Sequence, residues 1–465
     1  MNQPTAAGLP TTGDRVESKR DGSNARYALL LLFLINTVNF YDRQVLAAVS
    51  EPIRIEFGLR DTALGLLNTA FILMYAVVGL PSGRWADRGN RPTLLGTGLA
   101  TWSLFTGAAA VAWSYASLAV SRIGVGVGEA TCAPAANSII GDLFPAHRRA
   151  RALSVFMLGL PVGVMLANVI SGIVAKAYGW RATFLVAAIP GLILAVLVTR
   201  LVDPPRGAAD VARAATHDDR GFWPNLLLLL RIPTLRWIVI TGALHNFNAY
   251  AVNAFMPAYL GRYHGLDLRQ ANVVTGFMLG GIGIVTLLVA GIAADRAHRW
   301  RPSGRLLLGA LAIGVATPSV YIALLQPPGR VAPFIAWMGI AWGCSYVYYA
   351  TVYASVHDVV PPALRGSAMS LYFFCMYVLG GAFGTTLLGM LSDGMARRAM
   401  TAAGSVAMSE VFRATGLHEA FFVVPVVFAL LTLSLLAASR TVTRDMNAVR
   451  DPGWQSSSPP GKLQT

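Results

Sequence analysis

Hydrophobic positions in this chain run on for about twenty residues at a time, and short clusters of Gly, Pro and charged residues break the runs. Runs of that length, bounded by turn and charge signals, read as membrane-spanning helices. Twelve runs can be counted, near 27–50, 61–83, 92–113, 116–143, 149–177, 181–202, 234–260, 268–294, 304–325, 331–356, 366–391 and 418–438. Each is long enough as a helix, at about 1.5 Å per residue, to cross a hydrocarbon core of about 30 Å. The longest interruption between runs, 203–233, carries Pro204-Pro205, Asp218-Asp219 and several arginines, then an apolar patch from Phe222 to Leu230. It reads as a cytoplasmic linker with a helix lying on the membrane surface. A second insertion, 392–417, is polar and rich in Met and Ala. Residues 1–26 and 441–465 read as disordered cytoplasmic tails. The pattern predicts an all-α polytopic membrane protein.

Its two halves repeat. Asp142-x-x-Pro145-x-x-x-Arg149-x-x-Ala152-x-Ser154 recurs as Asp358-x-x-Pro361-x-x-x-Arg365-x-x-Ala368-x-Ser370, after the fourth run of each half. Ala86-Asp87-Arg88 recurs as Ala294-Asp295-Arg296, after the second run of each half. The shared order and nearly shared offset predict two pseudo-symmetric six-helix bundles, 27–202 and 234–440.

Composition agrees: 55% of residues are hydrophobic, 13% are charged, and the mean hydropathy is +0.55. That excludes an ordinary soluble enzyme. The formal charge of +15 does not point to nucleic acid, because the arginines lie between the apolar runs rather than on the face of a soluble domain. With the N-terminus inside, 25 of the 37 Lys and Arg fall on the cytoplasmic side, 10 on the other and two within runs. The positive-inside rule therefore places both termini in the cytoplasm. The first 26 residues lack the apolar core of a signal peptide, so the first run is read as both span and insertion signal. Arg outnumbers Lys 34 to 3 and no Asn-x-Ser/Thr acceptor occurs, which leans towards a bacterial inner membrane. Cys132, Cys344 and Cys375 sit in apolar runs at no metal-ligand spacing and read as small buried hydrophobes.

Polar residues inside the runs are the candidate chemistry. Asn39-Phe40-Tyr41-Asp42-Arg43 interrupts the first run, and Arg122 and Glu129 lie two turns apart in the fourth. A charged side chain at mid-bilayer costs about 2.5–3.5 kcal/mol on insertion scales, so it is paired, hydrated or functional. Asp42 and Glu129 are the candidate proton-coupling groups: Asp42, paired with Arg43 or approached by Arg122, is expected to stay ionised until protonation releases that pair, and Glu129, with no adjacent base, is the favoured proton carrier. Arg43 or Arg122 would then alternate between a carboxylate and an anionic head group. Asp42 and Glu129 should approach each other between spans one and four, within reach of Arg43 and Arg122. The glycines between Arg122 and Glu129 do not form a phosphate loop, which needs a preceding strand; within a span they allow close helix packing. In span seven Asn246, Tyr250 and Asn253 share one face beside His245, and in span ten Tyr346, Tyr349 and Tyr353 do the same. With Asn39 and Tyr41 they are the expected cavity lining.

The loop Gly83-Arg84-Trp85-Ala86-Asp87-Arg88-Gly89-Asn90-Arg91 resembles the Gly-x-x-x-Asp-Arg-x-Gly-Arg signature of the major facilitator superfamily, with Asn90 in a Gly position. Gly83 would permit close helix approach, Asp87 would pair with basic groups of a neighbouring loop, and Arg88 and Arg91 would face anionic headgroups. With Arg149, Asp295, Arg296 and Arg365 these residues are candidates for a cytoplasmic gate. The Asn39–Arg43 stretch, Gly126-Val-Gly-Glu129-Ala130 and the loop with Asn90 together resemble the spinster branch. That resemblance implies a transporter of lysophospholipids or lipids like sphingosine-1-phosphate. Coupling to protons is expected from Asp42 and Glu129, and the protein is expected to be a monomer without a cofactor. Small organic anions or amphipathic drugs are the alternative cargo, and a non-transporting lipid sensor is a second alternative. No HExxH, GxSxG, Walker A or metal-ligand cluster supports an enzyme.

Overall fold

The computed structural model describes residues 12–206, 227–361 and 364–450, and all regular structure among them is helical. The first span is α1 (Thr12–Ala48), followed by the short α2 (Ser50–Phe57). The second and third are α3 (Asp61–Arg88) and α4 (Arg91–Ala109). The fourth is broken into α5 (Tyr115–Glu129) and α6 (Cys132–Leu143), and the fifth into α7 (Ala146–Met157) and α8 (Gly159–Tyr178). The sixth is α9 (Trp180–Val198), and α10 (Pro233–Arg262) opens the second half. The eighth is α11 (Leu268–Thr275), a π segment (Gly276–Gly281) and α12 (Ile282–Trp300); α13 (Gly304–Leu324) and α14 (Val331–Asp358) follow. The eleventh is α15 (Arg365–Cys375), a second π segment (Met376–Ala382) and α16 (Phe383–Ala402). Then come α17 (Glu410–Phe421) and α18 (Val423–Arg450).

Twelve spans result, and their starts follow from local chemistry. Asn90 caps α4 by accepting from the Thr93 N–H at 2.9 Å, with Pro92 in the first turn. Reciprocal capping boxes open α5 (Ser114 with Ser117) and α11 (Asp267 with Gln270). Eight spans are long and apolar enough to be recognised by hydropathy alone. The remaining four are the first, third, fourth and seventh, in which polar side chains or helix breaks face protein rather than lipid.

Helix limits extend past the apolar runs. α1 begins at Thr12 and α18 continues to Arg450, inside the segments read as tails, and the insertion at 392–417 holds the ends of α16 and α17. Amphipathic turns beyond the membrane leave no mark in an apolar count. Of the linker at 203–233, residues 207–226 lie outside the described residues.

The halves meet where α3 packs on α16 and its preceding π segment, and where α8 packs on α11 and the first π segment. On the face carrying α2 they are tied by charge. Arg262 of α10 grips Asp61 with both terminal nitrogens at 2.8 and 2.9 Å, and donates from Nε to Glu51 at 2.9 Å. Arg54 bridges Glu51 and Glu410 at 2.6 and 2.8 Å. Asp393 accepts from the backbone N–H groups of Asp61 and Thr62, capping α3 from the other half. Burial by itself raises the Glu51 carboxyl, but the charge of Arg262 and hydrogen bonds from Arg54 and Arg262 outweigh it and hold it below the ordinary carboxylate value. On the opposite face the halves part around a cavity lined there by Asn137 and Arg84.

Arg262→Gln leaves Asp61 and Glu51 without their shared cation, a loss of about 3–5 kcal/mol for a buried pair. The closed face should open and the cavity mouth narrow. With Asn137→Cys as the sole cysteine, its labelling by a maleimide should slow in this variant, and an unchanged rate would deny the clamp a role. Because the Glu51 carboxyl is lowered, its contribution is complete at neutral pH and is lost as pH falls below the usual carboxylate range. In the native clamp, acid should therefore slow Asn137→Cys labelling, after correction for thiol ionisation with a model thiol.

Candidate functional site

The site begins at the break in span four. Pro134 in the first turn of α6 has no N–H to give the carbonyl of Ala130. Ser82 Oγ of α3 lies 2.9 Å from that carbonyl instead, and Thr131 Oγ1 donates to Gly128 O at 2.9 Å. The glycines before the break meet neighbours closely: Gly124 faces the Phe105 ring, Gly126 the backbone of Phe71, and Gly128 the backbone of Gly98 and Trp102. Close packing on α3 and α4 thus fixes Glu129 as the last residue of α5, fully buried.

Arg43 reaches Glu129 across the bundle, with Nε 2.7 Å from Oε2. Its Nη1 lies 3.3 Å from the hydroxyl of Tyr250 and 3.4 Å from that of Tyr377, both in the second half. The guanidinium carbon stands 4.5 Å from the centroid of the Tyr75 ring, a cation–π contact. Arg122 donates to the backbone carbonyl of Asp42 at 3.3 Å and lies over Phe71. The structure thus brings Asp42, Arg43, Arg122 and Glu129 into one buried cluster, but with different pairing from that expected. Asp42 does not pair with its neighbour Arg43, because consecutive helical residues point about 100° apart. Arg43 turns to Glu129, and the Asp42 carboxyl is wholly buried, with no hydrogen-bond partner within bonding distance among the described residues.

Beside this cluster is a cavity of about 820 Å³. Of the four charged groups, Arg43 forms part of its wall, while Asp42, Arg122 and Glu129 stand behind it. Asn39, His245, Asn246, Tyr250, Asn253, Tyr346, Tyr349 and Tyr353 line it. Tyr41 does not, because its position on α1 turns it into the packing against α8. His245 is held by stacking on Tyr348 at 4.1 Å and by a 3.1 Å contact between Nε2 and Ser345 Oγ. Residues that the sequence did not single out complete the wall: Gln44, Asn68, Tyr75 and Tyr377 on polar stretches, and Phe156, Leu160, Met369 and Phe373 on apolar ones. A signal for Tyr377 was present in Leu279-Gly280-Gly281 and Leu379-Gly380-Gly381, which mark the two π segments. Such bulges re-aim side chains at functional sites.

At the open face Arg91 corrects its expected role. It is fully buried, donating to Asp142, to Asp203 at 2.7 Å and to Ser138 at 2.9 Å, and faces no headgroup. Its counterpart Arg305 pairs with Asp358 at 2.6 Å and Asp295 at 3.1 Å, so the repeat extends to an arginine that opens the third span of each half. Both arginines join the Asp of one loop motif to the start of a span, a use that spacing did not reveal. Arg149 binds the carbonyls of Gly141 and Phe144. Among the described residues nothing stands where a side chain on Gly83 would point, so it makes no close helix approach there, contrary to its expected role; it lines the open mouth instead. Asp87, Arg88, Arg296 and Arg365 are exposed with no ion-pair partner among the described residues.

Residues 32–385 match the family model of the Major Facilitator Superfamily. An MFS-type efflux pump of Mycolicibacterium smegmatis is 31% identical over 396 residues, covering 85% of this chain and 90% of that protein. A hexuronate transporter of Bacillus subtilis is 26% identical over 372 residues, covering 78% of this chain and 87% of that protein. The crystal structure of a bacterial homologue of the human lysosomal transporter Spinster, inward-facing and unoccupied, superposes with a TM-score of 0.81 at 26% identity, covering 91% of this chain and 98% of that one. These relatives are transporters rather than enzymes, and the bacterial ones accord with an inner-membrane location. With twelve spans in two repeated halves around a one-sided cavity, the chain belongs to the Major Facilitator Superfamily of membrane transporters, in its spinster-like branch.

Proposed function

We propose that the protein is a proton-coupled secondary transporter that moves an amphipathic lipid with an anionic head, such as a lysophospholipid or a lipid like sphingosine-1-phosphate, by alternating access. The observation that carries this reading is Arg43, held by Glu129 in the wall of a cavity that is otherwise aromatic and apolar over much of its surface. A guanidinium suits a phosphate or carboxylate head, and Phe156, Leu160, Met369 and Phe373 offer apolar surface to a chain.

Coupling follows from competition for one cation. A head group approaching Arg43 and the carboxylate of Glu129 both bind the same guanidinium, and protonation of Glu129 frees it. Asp42, buried behind Arg43 beside Arg122, is the second carboxyl through which protons couple to the cluster. The open mouth is cytoplasmic under the positive-inside assignment, and Asp87, Arg88, Arg149, Asp295, Arg296 and Arg365 form the gate that closes it in the alternate state.

Small organic anions remain the second reading, favoured by the hexuronate transporter among the relatives. In proteoliposomes, flux of a lysophospholipid should respond to a pH gradient, and Glu129→Gln and Asp42→Asn should each lower that gradient-driven flux at least tenfold. Wild-type rates in both variants would end the coupling proposal. Lysolipids should compete with that flux at concentrations where glucuronate does not, and the reverse order would move the assignment to sugar acids. Asp87→Ala should speed labelling of Asn137→Cys by weakening the cytoplasmic gate; an unaltered rate would leave Asp87 with a role in topology only.

A further inference from the structure

The two tyrosines on Arg43 belong to the other half of the molecule. Tyr250 stands on α10 and Tyr377 on the π segment of span eleven, and both hydroxyls accept from the same nitrogen, Nη1, at 3.3 and 3.4 Å. An arginine N–H on an anionic oxygen runs about 2.7–2.9 Å and an ordinary N–H···O bond no more than about 3.2 Å. The tyrosines are therefore loose partners of a buried cation whose tight bond, to Glu129 at 2.7 Å, uses Nε. Nη2 makes no hydrogen bond to any described residue. The outer edge of the guanidinium is thus held open on the cavity side, with two hydroxyls standing where the oxygens of an anion would bind.

We propose that Tyr250 and Tyr377 are stand-ins for the anionic group of the substrate and then become its second set of ligands. A phosphate or carboxylate with two terminal oxygens takes Nη1 and Nη2 of Arg43 as a fork. The displaced hydroxyls, which can donate as well as accept, turn their protons to the same anion. Arg43 binds from the first half and the tyrosines from the second, so the anion bridges the two. The π segment supports this role. Its irregular turn brings Tyr377 under Arg43, and the Asn246 side chain donates to the Met376 carbonyl at 3.0 Å within it. Tyr75 packs edge-on against Tyr377 with centroids 5.1 Å apart, which keeps the ring in place when its hydroxyl changes partner.

This inference rests on Arg43 being the head-group site, and its test separates the two claims. Binding to purified protein is measured by thermophoresis for lysophosphatidic acid, for the uncharged monoacylglycerol of the same chain, and for glucuronate. The proteins are wild type, Arg43→Gln, and the double variant Tyr250→Phe/Tyr377→Phe, which keeps both rings. Wild type should bind lysophosphatidic acid at least tenfold more tightly than monoacylglycerol. The double variant should lose about tenfold or more for the anion, the worth of one charged hydrogen bond, and nothing for monoacylglycerol. A general packing defect would weaken both lipids alike and overturn the inference. Wild-type discrimination in the double variant, with loss in Arg43→Gln, would also overturn it while leaving Arg43 as the head-group site. Equal binding of the two lipids by wild type, without glucuronate binding, would overturn both claims. Loss confined to glucuronate would support the tyrosines and assign the anion to a free sugar acid.

Discussion

One ion pair in an apolar bundle organises this molecule: Arg43 on Glu129. Two charges removed from water lose several kcal/mol each in hydration, and their attraction recovers that only with good geometry and further hydrogen bonds. The surroundings of the pair answer that demand. A glycine-lined α5 brings Glu129 to the bundle centre, Tyr75 lies under the guanidinium, and two tyrosines from the second half meet its remaining edge. Such a pair is a weak source of stability and a natural switch, because anything that takes either partner leaves the other exposed to a large penalty.

The switch proposed for this pair would act on a structure with two different faces. On one, Arg262, Asp61, Glu51, Arg54 and Glu410 knit the halves together, and Asp393 caps a helix across the interface. On the other, the charged loops of the two halves stand apart around the cavity mouth. Within each half the same loops are braced, by Arg91 on Asp142 and by Arg305 on Asp358. Rigid halves joined by a breakable clamp are what rocking about a central site requires. An interaction that differs in strength between the two arrangements can then bias one over the other.

Much of this was legible in the sequence, because membrane physics writes itself in long apolar runs and duplication writes itself in paired loop motifs. The twelve spans, the two halves and the gathering of Asp42, Arg43, Arg122 and Glu129 follow from those signals. The pairing within the cluster did not, since adjacency of Asp42 and Arg43 in sequence is separation on a helix. Arg91 looked like a headgroup contact because a loop arginine beside a membrane usually is one; only the fold shows Asp142 and Asp203 enclosing it. The clamp was invisible for a different reason. Asp61, Arg262 and Asp393 each sit at the end of a span, where charge is ordinary, and no local pattern joins residues so far apart in the chain.

The central claim is that a substrate anion and Glu129 share one cation. Proton exchange on binding tests it most directly. In weakly buffered detergent solution with a pH indicator, adding an anionic lysolipid to the purified protein should draw about one proton per molecule from solution, as linkage requires when Glu129 loses its hold on Arg43. Glu129→Gln should bind the lipid without that uptake. Tight binding by the wild-type protein with no proton exchanged across the neutral pH range would contradict the account.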